Sequence, residues 1–135
     1  MMRQSYELIN AGDWDGFSAL IADDFFEHEQ PPPGIAPTKE GVLQYFAMAR
    51  AGFPNLRFEP EFVLVDGDKA AAYFRFTGTQ SGEFMGIPPT GKSVDVRGVD
   101  IVRWGDDGLG HEHWGVFDAM TMMQQLGVVP QGAPA

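Results

Sequence analysis

The chain has no cysteine among its 135 residues, which rules out a disulfide framework, a thiolate zinc site and a cysteine nucleophile together. Basic residues are scarce too: 9 Lys and Arg stand against 19 Asp and Glu, for a net charge of -10. A surface of that sign repels nucleic acid and anionic membranes, so neither is expected as a partner. Long hydrophobic runs are also missing. The N-terminal Met1-Met2-Arg3-Gln4-Ser5-Tyr6-Glu7 lacks the apolar core of a secretion signal, and no window approaches the length of a membrane span. A soluble, cytoplasmic protein is expected. There is no Gly-x-Ser-x-Gly elbow, no phosphate loop and no Gly-x-Gly-x-x-Gly fingerprint, which leaves hydrolase triads and nucleotide cofactors without support.

What is present fits one domain, long enough to bury roughly two-thirds of its unfolded surface. Its expected span is residues 1–129, with Pro130-Gln131-Gly132-Ala133-Pro134-Ala135 as a flexible tail. Tyr6, Leu8 and Ile9 mark a short amphipathic helix that stops at Asn10-Ala11-Gly12. Asp13 can cap a second helix, whose apolar face of Trp14, Phe17, Leu20 and Ile21 runs on to Asp23-Asp24. Phe25-Phe26-Glu27-His28-Glu29 reads as extended, and the three prolines that follow make a loop. Thr38 caps a third helix from Lys39 to about Ala51.

From there the period switches to two. Leu56, Phe58, Phe62 and Leu64 alternate with charged residues, interrupted by Pro60, and Lys69 to Thr79 returns with Ala70, Ala72, Phe74 and Phe76 on one side. Ser93 to Trp104 and Leu109 to Phe117 are the last two strands, and Asp118 caps a closing helix, Ala119 to Leu126, stopped by Gly127. Between the strand pairs, the loop from Ser81 to Lys92 displays Phe84, Met85 and Ile87, apolar side chains that need something to cover. Helices followed by a meander predict an α+β fold. Its curved antiparallel sheet would have four long strands plus a short N-terminal extended segment, wrapped around three N-terminal helices, with a short C-terminal helix.

The turn Gly105-Asp106-Asp107-Gly108 makes the last two strands a hairpin, and this hairpin carries the chemistry. In one register Asp100 pairs with His113; in the other it faces Gly115 and lies diagonal to His113. Both registers put a carboxylate and an imidazole on one face, the arrangement acid/base work requires. Gly98 and Gly115 share that face, and glycine inside a strand marks a bend or a close approach, which curls a sheet into a cone with a hollow. Asp118 is the next carboxylate, a helix cap or a further acid/base group. His28 would sit at the mouth of the hollow or on the surface. Tyr45, Phe46, Phe84 and Met85 are core or pocket lining, and all are binding candidates. Trp114 has the opposite parity to His113 and joins the substrate wall only if a bulge reverses it; otherwise it belongs to the core or a subunit interface. His111-Glu112-His113 with Asp118 has the spacing of a jelly-roll metal site. The needed distant histidine could only be His28, which precedes the sheet, so no metal is expected.

Several segments together give a resemblance. They are Asn10-Ala11-Gly12-Asp13, Ala22-Asp23-Asp24-Phe25-Phe26-Glu27-His28, the loop Gly86-Ile87-Pro88-Pro89-Thr90-Gly91-Lys92, Gly98-Val99-Asp100-Ile101-Val102-Arg103, Glu112-His113-Trp114 and Gln125-Leu126-Gly127. This pattern is similar to the SnoaL-like polyketide cyclase family of the nuclear transport factor 2-like superfamily. The resemblance implies a cone-shaped α+β barrel with a pocket for a hydrophobic small molecule, no cofactor, and a homodimer. It further implies an acid/base enzyme of the kind that closes polyketide ester rings by an aldol step. The aspartate those cyclases use near the end of the last strand falls at about Gly115, its polar partner at Asp100 and a family histidine at His113. Isomerisation, hydration or a non-catalytic binding pocket would use the same hollow.

Overall fold

The structure is a computed structural model in which residues 2–129 are described; the tail expected at 130–135 lies outside them. Nine elements follow one another: α1 (Met2–Ala11), α2 (Trp14–Ser18), β1 (Ile21–Glu27), α3 (Lys39–Gly52), β2 (Arg57–Asp66), β3 (Lys69–Thr79), β4 (Ser93–Trp104), β5 (Gly110–Phe117) and α4 (Ala119–Leu126). The strands form one five-stranded sheet in the order β1-β5-β4-β3-β2. Among the described residues no helix is long and apolar enough to cross a membrane.

Met2, Tyr6 and Ile9 recur at helical spacing on α1 and are its buried residues. Asn10 fixes the helix on the sheet, donating from Nδ2 to the Phe58 carbonyl at 2.9 Å and accepting the Phe58 amide at Oδ1 at 2.7 Å. The second helix is shorter than its apolar spacing suggests. Asp13 caps it through the Gly16 amide, but the chain is already extended at Ile21. The reason is tertiary. The Leu20 carbonyl accepts the Gly110 amide at 2.8 Å and the Ile21 carbonyl accepts Lys39 Nζ at 3.0 Å, so neither is free for a helical bond. The short extended segment therefore becomes a full strand, β1, parallel to β5. The four long strands form the expected antiparallel meander, and β1 adds a parallel edge that makes the sheet mixed.

A second departure lies in β2. The pairing with β3 shifts between Pro60 and Phe62, leaving Glu61 as the extra residue of a bulge. Proline has no amide to give the ladder, and the bulge is where a strand tolerates that. The shift reverses parity: Phe58 is buried, whereas Phe62 is 50% and Leu64 63% exposed on the outer face. β3 behaves as its alternation predicts, burying Ala70, Ala72, Phe74 and Phe76. The loop after it is held by Gln80, fully buried. Its Nε2 donates to the carbonyls of Ile87 and Pro88, and its Oε1 accepts the Thr90 hydroxyl at 2.8 Å.

β4 pairs with β5 so that Asp100 faces Gly115 and Val102 faces His113, the second of the two registers. Gly98 leaves room for the Phe74 ring, which a Cβ at that position would overlap. Gly98→Ala should lower the unfolding free energy by about 1–3 kcal/mol, the usual cost of overpacking, in urea titrations followed by circular dichroism.

Candidate active site

Asp100 points inward from β4 beneath α1. Tyr6 donates its hydroxyl to Asp100 Oδ2 at 2.6 Å, and His113 Nε2 lies 2.7 Å from Oδ1. The diagonal of the hairpin register brings the imidazole to the carboxylate. On its other side His113 Nδ1 lies 2.6 Å from Glu27 Oε1. Glu27 is the last residue of β1, and the parallel pairing sets it opposite His113. The Glu29 amide donates to the same Glu27 oxygen at 3.0 Å, and the Glu29 carboxylate stands 4.0 Å from His113 Nδ1. With a carboxylate at each ring nitrogen, both nitrogens carry protons and His113 is an imidazolium.

The electrostatics follow from this geometry. Burial opposes the charge on His113, but the hydrogen bonds and charges of Asp100 and Glu27 outweigh it and raise its pKa to about 10. Burial, then Asp100, pushes the Tyr6 hydroxyl up, so it stays a donor. Burial also raises Glu29, with Asp100 and Glu27 adding to the effect and His113 opposing it. Tyr45 is pushed up to about 12, first by burial and then by the carboxylates of Glu29, Asp100 and Glu27.

Two cavities meet at Glu27 and Val42, which line both. The inner one, about 90 Å³, holds Asp100 and His113 among Tyr6, Phe17, Phe25 and Phe46. Trp104 lines it too, and its Nε1 is buried with no hydrogen-bond partner. The outer cavity, about 460 Å³, lies among Glu29, Tyr45, Phe84, Met85 and the α4 methionines Met122 and Met123. That volume suits a multi-ring small molecule. Neither lining includes a lysine or an arginine.

The structure thus brings Asp100 and His113 together, with Phe46 in the inner cavity and Tyr45, Phe84 and Met85 around the outer one. Asp118 is elsewhere, exposed at the start of α4, where it accepts the Thr121 amide at 3.1 Å and hydroxyl at 2.7 Å. His28 and Trp114 stack at 4.6 Å on the outer face of the sheet, where His28 bonds Glu112 at 2.7 Å. No bulge reverses the parity of Trp114, since the irregularity in this pair falls at Arg103 and Trp104. The jelly-roll spacing does not assemble, because His111 turns to Asp107 at 3.0 Å while Asp118 caps its helix. Glu27, Glu29 and His113 do present ligand atoms within 4.8 Å of one another. A cation there would require His113 to surrender its Nδ1 proton, so the set suits an imidazolium better.

Sequence reasoning missed Glu27, Glu29 and Tyr6. The period-two pair Phe25 and Glu27 was a usable signal for the first, because Phe25 is buried and Glu27 shares its face. Tyr6 reads only as one apolar position of a helix.

The sequence model of the family described as SnoaL-like polyketide cyclase matches residues 1–126. Among solved structures, IdmH from Streptomyces antibioticus, provisionally a polyketide cyclase, is 35% identical over 90% of this chain and 92% of its own, with a TM-score of 0.79. TsrD from Streptomyces laurentii is 27% identical over 95% of this chain and 92% of its own, with a TM-score of 0.84. AclR from Streptomyces galilaeus, provisionally a hydroxylase, is 25% identical over 94% of this chain and 78% of its own, with a TM-score of 0.82. No curated protein matches the chain.

The His113 pKa, raised from 6.5 to about 10 by its partners, has a thermodynamic consequence. A raised basic group stabilises the fold fully below its unfolded pKa and loses that contribution as pH climbs through the folded value. The urea-unfolding free energy should therefore fall between about pH 6.5 and pH 10, and this slope should be absent from His113→Gln; equal slopes in the two proteins would contradict the imidazolium.

Proposed function

Because the chain belongs to the SnoaL-like polyketide cyclase family, a family of small-molecule enzymes, we propose that it moves protons to and from carbon α to a carbonyl on a hydrophobic substrate. The observation that carries this reading is the hydrogen-bonded chain Tyr6–Asp100–His113–Glu27 along the inner cavity, with Glu27 reaching the outer one as well. The body of the substrate occupies the outer cavity and its reacting end meets Glu27 at the junction, facing His113 and Asp100 of the inner cavity. An imidazolium held between two carboxylates is an acid with its bases attached. It can give a proton to a developing enolate or alkoxide oxygen, and a neighbouring carboxylate can take one from carbon. Apolar walls strengthen both charges and fold the substrate onto itself, while Trp104 Nε1 offers a donor to a ligand oxygen. This chemistry needs no cofactor, and it serves aldol-type cyclisation, isomerisation or hydration alike.

The outer face of the sheet supports pairing of two copies. Phe62, Leu64 and Val116 are 50%, 63% and 74% exposed there, apolar side chains that a second copy could cover. A homodimer joined through this face is expected. Light scattering should give twice the chain mass at micromolar concentration, and Val116→Lys should halve it.

Proton exchange offers an assay that does not depend on the natural substrate. In D2O the protein should accelerate deuteration of the α carbons of 2-tetralone, a neutral aromatic ketone, as followed by proton NMR. Asp100→Asn and His113→Ala should each lower that rate by about 10²–10⁴-fold with the circular dichroism spectrum retained. Wild-type rates in both variants would refute the assignment. Binding of the ketone without any acceleration would make the protein a binding module.

A further inference from the structure

Gly115 lies on β5 opposite Asp100, facing inward, where a side chain would project into the site. The space beside it is already taken by Glu29. A Cβ at position 115 would stand 2.5 Å from Glu29 Oε1 and 2.7 Å from His113 Cε1. The glycine therefore admits a carboxylate that arrives from the far end of β1. We propose that Glu29 is a further catalytic residue, the carboxylate that takes the α proton from substrate in the outer cavity while His113 serves as the acid beside it.

Four observations support this assignment, which rests on the proton-transfer reading of the cavity. Glu29 is the acidic side chain of the site with nothing committed to it. Both oxygens of Asp100 are occupied, by Tyr6 and His113, and Glu27 Oε1 receives His113 and the Glu29 amide. The Glu29 carboxylate has no hydrogen bond to a described residue, its nearest partner being His113 Nδ1 at 4.0 Å. Second, it lines the outer cavity, the one with room for a substrate. Third, its placement is built rather than incidental. Its own amide is tied to Glu27 at 3.0 Å, and Pro31 and Pro32 stiffen the chain just beyond it. Fourth, burial raises its pKa from the ordinary glutamate value, His113 opposing and Asp100 and Glu27 adding to the rise, which makes it a better base than a free glutamate.

Tyr45 completes the step. It lines the same cavity, its hydroxyl bonds no described residue, and the Glu29 charge acts on it. The C–H bond of the substrate breaks, its proton goes to a Glu29 oxygen, and its electron pair becomes an enolate. The enolate oxygen accepts hydrogen bonds from Tyr45 or His113. The proton on Glu29 exchanges with solvent, and Glu29 then delivers a solvent-derived proton, a deuteron in D2O, to the enolate carbon; water is the only other reactant. With no lysine or arginine in either cavity lining, the substrate class is an uncharged ketone or ester rather than a free acid.

The test uses the full chain and 2-tetralone exchange in D2O, measured across pH 4 to 10. Glu29→Gln should lower the rate by about 100-fold and flatten the acid limb of the profile, whereas Glu29→Asp should keep that limb at a reduced rate. Circular dichroism and the melting temperature of each variant check that the fold is intact. If Glu29→Gln keeps the wild-type rate and acid limb while His113→Ala still loses activity, Glu29 is not the base and the broader proton-transfer reading stands. If neither substitution matters, both fail.

Discussion

The imidazolium of His113, held between Asp100 and Glu27, is the contact on which the rest of the structure depends. One of its two hydrogen bonds crosses the hairpin to Asp100 on β4 and the other reaches Glu27 on β1, 86 positions away, and Tyr6 adds α1. Buried charges are costly singly and tolerable when paired and hydrogen-bonded. Here one positive group faces two negative ones, and all three carry their bonds within a largely apolar hollow. Removing one member would leave the others charged and dry, so helix position, parallel edge strand and site are coupled through a single side chain.

That coupling explains how a small α+β domain can keep a charged cluster inside an apolar hollow. Gly98 lets the Phe74 ring in against the sheet, and α1 and α3 pack on the strands around the hollow. The hollow divides into a small inner part with fixed charges and a larger outer part with aromatic and methionine walls. Under the proposed proton transfer, a substrate held by the outer part would meet groups that are already oriented, so little reorganisation would accompany the step. The site is anionic or neutral apart from His113, in keeping with a net charge of -10.

Much of this was legible in the sequence, for identifiable reasons. α3, β3, β4 and α4 follow from local signals: the Thr38 and Asp118 caps, the alternation of Ala70 to Phe76, and the Gly127 stop. The shared face of Asp100 and His113 follows from hairpin parity in either register, which is why it survives the choice between them. β1 was obscured because Trp14, Phe17, Leu20 and Ile21 fit a helical period, while the bonds that make Ile21 a strand come from Lys39 and the neighbourhood of Gly110. Glu27 was hidden for the same reason, since only the parallel pairing sets it beside a histidine 86 positions away. The bulge after Pro60 hid the outward turn of Phe62 and Leu64, because a single inserted residue reverses every side chain beyond it. Glu29 follows β1 and inherits that blindness. Its clue was the glycine at 115, whose space needed an occupant.

The most direct measurement of this arrangement is the protonation state of His113 itself. Nitrogen-15 correlation spectra of uniformly labelled protein, with the resonance assigned through His113→Gln, report both ring nitrogens as a function of pH. Two protonated nitrogens persisting at pH 8, with titration only near the raised pKa of about 10, are the expected result. A single bare nitrogen at pH 8 with titration near 6.5 would mean that Asp100 and Glu27 do not hold an imidazolium between them, and the account of the site would fall.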